Sequence, residues 1–182
     1  EEISSRIASA ISGVPLQNIR EARLTHHEEA TVRAALQQLD DAPLYIQDST
    51  HRTLADIRAA ALSLKRRLGS LALIAVDYLQ LLDPPNPNEP KAIQAEETSR
   101  ALKLLARDIA PVLAASQLNR KLEDRADKRP ALSDIRWGGE NDTDIAIGIH
   151  REDIHDPHSP RAGEVDLLVL KHRNGPTGEV PL

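Results

Sequence analysis

The chain has 182 residues, a net charge of −5, and 40% hydrophobic and 28% charged side chains, the composition of an ordinary globular domain with its own core. This acidic balance excludes a surface that is basic throughout, so a nucleic-acid contact would need a local basic patch. The absence of cysteine excludes disulfides and thiolate metal sites, and no apolar run approaches the roughly 18 residues of a membrane span, so a cytoplasmic protein is predicted.

The first part of the chain is predicted to be mainly helical. Thr25 with Glu28 and Thr53 with Asp56 form capping pairs, in which side chains satisfy the unpaired N–H groups at a helix start. Apolar residues at three- and four-residue steps follow each pair. Between these two helices, "APLYIQD" (residues 42–48) is a strand candidate. The four predicted helices cover residues 1–12, 14–24, 25–41 and 53–68.

A strand, helix and strand are predicted next. Residues 71–76, "LALIAV", are all apolar, which is typical of a strand buried on both faces of a parallel sheet. The prolines of "DPPNPNEP" (residues 83–90) exclude a helix or a central strand there. A helical pattern over residues 91–109 and a short buried strand within residues 110–117 complete a βαβ unit.

Three further apolar runs predict strands in the last third of the chain, over residues 143–150, 163–171 and 178–182. Asn174-Gly175 between the last two is a strong hairpin signal. The predicted fold is therefore α/β, a mainly parallel sheet flanked by helices with antiparallel strands at its C-terminal end. No internal repeat or linker interrupts it, so residues 1–182 are predicted to form one domain.

Two polar residues at strand ends are the first candidate site. In open α/β sheets ligands bind outside the carboxyl ends of the strands, and an acid there, such as Asp77, can hold Mg²⁺. Gln117, at the end of the next strand, could touch a terminal phosphate and report its loss. The alternative is that Asp77 only caps a turn and that Gln117 is an ordinary polar strand terminus.

Cationic side chains form the second candidate site. Six cations interleave with four acids over residues 120–136, "RKLEDRADKRPALSDIR", and such mixed runs are usually solvated. Arg136, however, precedes Trp137 and two glycines, a loop that can grip the backbone of single-stranded nucleic acid. Lys171 and Arg173 are two residues apart, so they share one face of an extended segment and suit a phosphate, which could belong to a neighbouring subunit. An ordinary charged hairpin end is the alternative.

Histidines are weaker candidates for a metal site. His150, His155 and His158 fall across a proline-containing loop without rigid spacing, so a metal site built from them is not expected.

Three segments in series resemble a known family: "VDYLQLL", "SQLNRKLEDRADKRPALSDIR" and "KHRNGPTG". They are similar, in order and spacing, to the C-terminal motor domain of the bacterial replicative DNA helicase, the DnaB family. The resemblance implies a RecA-like fold in a hexameric ring that binds ATP and Mg²⁺ between subunits. It also implies single-stranded DNA in the central channel, duplex unwinding at the replication fork, and primase and a helicase loader as partners of the intact protein.

The resemblance also implies a role for each candidate residue. Asp77 corresponds to the Walker B acid that acts on Mg²⁺, and Gln117 corresponds to the phosphate sensor. Lys171 and Arg173 correspond to the basic pair that reaches the γ-phosphate of the neighbouring subunit, with Arg173 as the arginine finger. The residues that correspond to the DNA-binding loop of the central channel are Arg136, Gly138 and Gly139.

One element of the family pattern does not occur in these residues: the phosphate-binding loop G-x-x-x-x-G-K-[ST]. The chain is therefore expected to be an N-terminally truncated motor domain that is inactive alone. Two other classes of function stay open. The chain could belong to a RecA-like ATPase without helicase activity, such as a recombinase or ring regulator, or it could be a scaffold that has lost nucleotide binding.

Overall fold

A computed structural model describes residues 2–47, 53–136 and 140–182, and the chain divides into two compact units, residues 1–48 and 49–182. The prediction of a single domain over residues 1–182 stays a prediction. The α-helices are α1 (Glu2–Ser12), α2 (Leu16–Arg20), α3 (His26–Asp40), α4 (Leu54–Leu68) and α5 (Lys91–Asp108). The strands are β1 (Ile74–Val76), β2 (Val112–Ala114), β3 (Ile145–His150), β4 (Asp166–His172) and β5 (Gly178–Pro181).

The first unit is helical, as predicted, but it lacks the predicted strand. The capping box is present at α3: Glu28 N–H donates to Thr25 Oγ1 at 3.3 Å, and Thr25 N–H donates to the Glu28 carboxylate at 2.8 Å. The strand prediction for residues 42–48 is wrong, because residues 42–47 have irregular backbone and Asp48 lies outside the described residues. Leu44 N–H donates to the Ala42 carbonyl two residues earlier. This local bond is not strand pairing, and a strand is stable only when it pairs with another strand.

The core of the second unit lies between α4, α5 and the parallel pair β1–β2. Val76 of β1 packs there against Ala61 of α4 and Leu105 of α5. The register pairs Ile74 with Val112, so that β1 and β2 run parallel with α5 as the crossover between them. The predicted βαβ unit is confirmed, but the prediction that its strands are buried is wrong, because only Val76 of β1 is buried and Leu113 of β2 is 60% exposed.

The three C-terminal strands are also confirmed, and they form an antiparallel sheet in the order β3-β4-β5. Gly148 of β3 lies against the segment that precedes the sheet, since a Cβ there would come within 2.9 Å of Pro130 Cβ. Gly175 N–H bonds to the His172 carbonyl at 3.4 Å in the turn between β4 and β5. The observed fold is thus α/β, with parallel strands first and antiparallel strands at the C-terminal end. No helix in the described part of the chain is both long and apolar enough to cross a membrane.

Two arginines of the mixed charge run of residues 120–136 form ion pairs within the fold. Arg125 donates to both oxygens of Asp134 at 3.1 and 2.8 Å, and the Asp134 carboxylate also accepts Ala131 N–H. Arg129 reaches Asp166 of β4 at 3.4 Å. Arg125 thus fixes the connection internally, and Arg129 holds it against the antiparallel sheet.

Asp166 is the more deeply buried acid of these two ion pairs, with 2% of its surface exposed. Its carboxylate accepts two bonds from the Arg161 guanidinium, at 2.9 and 2.5 Å. The hydrogen bonds from Arg161 hold the pKa of Asp166 below its ordinary value, and the charges of Arg161 and Arg129 act in the same direction. The ionised form of Asp166 therefore stabilises the folded state.

Substituting Asp166→Asn is expected to lower the melting temperature at pH 7 by several degrees. Because the folded pKa is depressed, the stabilisation is complete well above the unfolded value of about 3.9 and is lost as the pH falls through the folded pKa. Thermal unfolding of the wild type and of Asp166→Asn, measured between neutral and strongly acid pH, should thus show a difference in melting temperature that disappears at low pH. Asp124→Asn, on an exposed loop, is the control with the same charge change, and a difference independent of pH would contradict the assignment.

Candidate nucleotide and DNA site

The structure places Asp77 and Gln117 at the same edge of the parallel pair. Ala115 N–H bonds to the Val76 carbonyl at 2.9 Å, and Leu79 N–H bonds to the Ala115 carbonyl at 3.0 Å, so pairing continues past both strands. Asp77 therefore lies beside Ala115, and Gln117 follows two residues later. Both side chains are exposed, which leaves them accessible to a ligand at the carboxyl ends of the strands.

Gln80, whose role was not predicted from the sequence, joins these two strand ends. Gln80 Nε2 donates to Ser116 Oγ at 3.0 Å, and Gln117 N–H donates to Gln80 Oε1 at 3.2 Å. This half-buried amide thus fixes the backbone that carries Gln117. A signal was present in the sequence, since Gln80 is a single amide among the leucines of "YLQLL".

Arg136 is bonded directly to Gln117. Arg136 Nη1 donates to Gln117 Oε1 at 3.1 Å, and Arg136 N–H donates to the Gln117 carbonyl at 3.0 Å. An antiparallel bridge between Leu118 and Ile135 continues this pairing. Because Gln117 Oε1 accepts a bond from Arg136, the Nε2 amide of Gln117 is the donor group that can bind a phosphate oxygen. The other predicted loop residues, Gly138 and Gly139, lie with Trp137 outside the described residues.

Lys171 and Arg173 both bind the segment of residues 140–144. Lys171 Nζ donates to the carbonyls of Glu140 and Asn141, at 2.6 and 3.2 Å. Arg173 Nη1 lies 3.2 Å from Asp144 Oδ1, and Arg173 N–H donates to the Asp144 carbonyl at 2.8 Å. Two cations predicted to act together thus contact one short stretch of backbone.

Asp144 was not identified from the sequence, although it binds two cations. Lys103 of α5 donates to its other carboxylate oxygen. The hydrogen bond from Lys103 holds the pKa of Asp144 below its ordinary value, and the charges of Lys103, Arg173 and Lys171 act in the same direction. An acid at a strand start is common, so the sequence carried no signal for it.

The two groups of candidate residues are not joined directly. Among residues 2–47, 53–136 and 140–182, no hydrogen bond or ion pair connects Asp77 or Gln117 with Lys171 or Arg173. The same residues contain no group of three or more histidine and acid side chains that could hold a metal. One carboxylate such as Asp77 would be enough for Mg²⁺, an ion that keeps several waters and binds through one or two carboxylates and substrate phosphates.

This fold and this edge define a class of protein. A βαβ unit whose strands end in an acid and an amide, followed by antiparallel strands, fits a RecA-like α/β domain, and the likeness to solved structures supports this class. Two solved structures are similar to the chain throughout. The structure of a DnaB-like replicative helicase and its interactions with primase matches all of the chain and 45% of that protein, with a TM-score of 0.95 and 32% identity. A second solved structure, an ATPase domain, matches 98% of the chain and 65% of that domain, with a TM-score of 0.91 and 32% identity.

The chain belongs to the family of the DnaB-like helicase C-terminal domain, whose family model matches residues 1–182. The replicative DNA helicase DnaB of Leifsonia xyli subsp. xyli is 48% identical over 98% of the chain and 40% of its own length. That of Mycobacterium leprae is 43% identical over 98% of the chain and 30% of its own length. The chain thus spans less than half the length of these curated relatives.

Proposed function

We propose that this chain is the motor domain of a replicative DNA helicase. In a hexameric ring it hydrolyses ATP at the subunit interfaces, moves along single-stranded DNA and unwinds the duplex ahead of the ring. Family membership and the names of the curated relatives support this proposal. The single observation that carries it is the pair of bonds between Gln117 and Arg136, because they link a residue suited to sense phosphate with one suited to bind DNA.

In this proposal, the edge formed by Asp77 and Gln117 holds the phosphates of the chain's own nucleotide. Asp77 is the acceptor that would hold Mg²⁺, directly or through a bound water, and the bound ion neutralises charge on the phosphates. Gln117 donates its Nε2 amide to the terminal phosphate. The G-x-x-x-x-G-K-[ST] loop would come from a part of the polypeptide outside these 182 residues.

Lys171 and Arg173 serve the nucleotide of the neighbouring subunit. The guanidinium of Arg173 is always charged, and its planar fork matches phosphate oxygens. Its side chain is 51% exposed, so it is accessible to a partner subunit. Phosphoryl transfer is catalysed mainly by positioning the reacting groups and neutralising their charge. When one of the cations comes from the neighbouring subunit, hydrolysis depends on ring assembly.

The DNA contact would be made by Arg136 together with Gly138 and Gly139, whose backbone N–H groups suit phosphate oxygens. When hydrolysis removes the phosphate from Gln117, the bonds between Gln117 and Arg136 transmit the change to the DNA-binding loop.

The intact protein would work in the cytoplasm with primase and a helicase loader. A likeness to a solved helicase described together with primase supports the first of these partners.

The test is strand displacement from a forked DNA duplex by the intact protein, with ATP hydrolysis measured in parallel. The expected result is unwinding that requires ATP and Mg²⁺. Hydrolysis without unwinding would favour a recombinase or a ring regulator. A protein that neither binds nor hydrolyses ATP would favour a scaffold. The matched control is the same duplex with blunt ends, which a ring that must thread a single strand cannot enter.

A further inference from the structure

Arg136 and the 140–144 segment, which flank the glycines of the predicted DNA-binding loop in sequence, are bonded to predicted phosphate-binding residues. At the start of the loop, Arg136 bonds to Gln117, which serves the chain's own nucleotide in the proposed function. Past its end, the 140–144 segment accepts bonds from Lys171 and Arg173, which serve the neighbour's nucleotide. One loop is thus linked to two nucleotide sites, and its second link depends on Asp144.

The ion pair between Asp144 and Arg173 is of a kind that can break when Arg173 binds a phosphate. The side chains of Asp144 and Arg173 are each 51% exposed, and exposed ion pairs are weak because water and salt screen them. A guanidinium bound to a phosphate in bidentate geometry makes stronger, charge-assisted bonds. Arg173 can therefore leave Asp144 for a γ-phosphate that comes within reach.

Lys103 is a second cation bound to Asp144. It contacts Asp144 Oδ2, while Arg173 contacts Oδ1, so the two cations approach the carboxylate from α5 and from the end of β4. When Arg173 departs, Lys103 still compensates the charge of Asp144. The carboxylate therefore needs no change of protonation when the arginine moves.

We propose that Asp144 is a positioning residue for Arg173: it orients the guanidinium toward the neighbouring subunit and couples its position to the DNA-binding loop. The inference rests on the proposed function and deepens it. DNA bound at the loop acts through the 140–144 segment and Asp144 on the arginine that completes the next subunit's ATP site. The effect of Asp144 is thus exerted on hydrolysis in trans and on its stimulation by DNA.

The test compares Asp144→Asn with Asp142→Asn, a control with the same charge change in the same segment, in the intact protein. Hydrolysis is measured with and without a saturating oligo-dT strand. For Asp144→Asn we expect the DNA-stimulated kcat to fall about tenfold, within the range that misplacement of a catalytic group costs. The KM for ATP should change less than about twofold, because other residues bind the nucleotide. Asp142→Asn should behave like wild type.

Two further variants separate positioning from a structural role. If Asp144 acts through Arg173, Asp144→Asn combined with Arg173→Ala should be no slower than Arg173→Ala alone. Asp144→Glu keeps the charge but moves the carboxylate by one methylene group, so the DNA-stimulated kcat should fall by about threefold. If Asp144→Asn fails to assemble, this variant tests the positioning role instead.

Three results would overturn the inference while leaving the proposed function intact. These are equal rates for Asp144→Asn and Asp142→Asn, a loss in Asp144→Asn that is the same with and without DNA, and a wild-type rate for Asp144→Glu when Asp144→Asn does not assemble. If wild-type protein hydrolyses no ATP in the presence of DNA, the proposed function itself fails, and this inference fails with it.

Discussion

Substituting Arg173→Ala is expected to lower the rate of ATP hydrolysis by about 10³-fold, the lower end of what an arginine finger contributes. The fold should be preserved, because the ion pair that is lost, with Asp144, is half exposed and weak. Steady-state hydrolysis in the presence of single-stranded DNA measures the loss, and light scattering checks that the ring still forms. Arg120→Ala, an exposed cation in the connection after β2, is the control and should keep the wild-type rate.

Mixed rings distinguish action in trans from action within one subunit. A subunit with Arg173→Ala keeps Asp77, and a subunit with Asp77→Asn keeps Arg173. An interface formed by the nucleotide site of the first and the arginine of the second is complete. Mixing the two inactive variants should therefore restore part of the hydrolysis, and no recovery in verified mixed rings would contradict the trans assignment.

Substituting Asp77→Asn is expected to lower hydrolysis by at least about 100-fold, the upper end of what loss of an outer-sphere partner costs at a metal site. Asparagine has the same shape but lacks the charge that holds Mg²⁺. Within the described part of the chain Asp77 takes part in no ion pair, so the fold should be unchanged, and light scattering checks that the proposed ring still assembles. Raising the Mg²⁺ concentration should recover part of the rate if weakened metal binding is the cause.

The control for this substitution is Asp124→Asn, an exposed acid on a loop outside the strand edge. It should hydrolyse ATP at the wild-type rate over the same range of Mg²⁺ concentration. Wild-type turnover by Asp77→Asn would contradict the metal-binding role and leave Asp77 as an acid that only ends a strand.

The shared position of Asp77 and Gln117 could be predicted from the sequence, whereas their connection through Gln80 could not. Parallel strands joined by a helix bring their carboxyl ends to one edge, so two apolar runs separated by a helical pattern were sufficient. The bonds of Gln80 to Ser116 and to Gln117 depend on the register of β1 against β2, which no periodicity specifies.

The same distinction applies to the charged residues. The sequence could not separate Arg129, which binds Asp166, from Arg136, which binds Gln117, because both are cations in one mixed run. Their partners lie 37 and 19 residues away along the chain. Only the packing of the connection on the antiparallel sheet decides which cation is structural and which lies at the site.

The sequence by itself determined what depends on near neighbours: helices from their periodicity and caps, strands from apolar runs, and the acid and amide that end them. Tertiary structure alone decided what depends on partners remote in sequence. It left residues 42–47 without the predicted strand, since a strand is stabilised by pairing and not by composition. It also brought Asp144 to Lys103 and Arg173, because folding places α5, β3 and the end of β4 together, whereas a single acid at a strand start carries no sign of the cations it will meet.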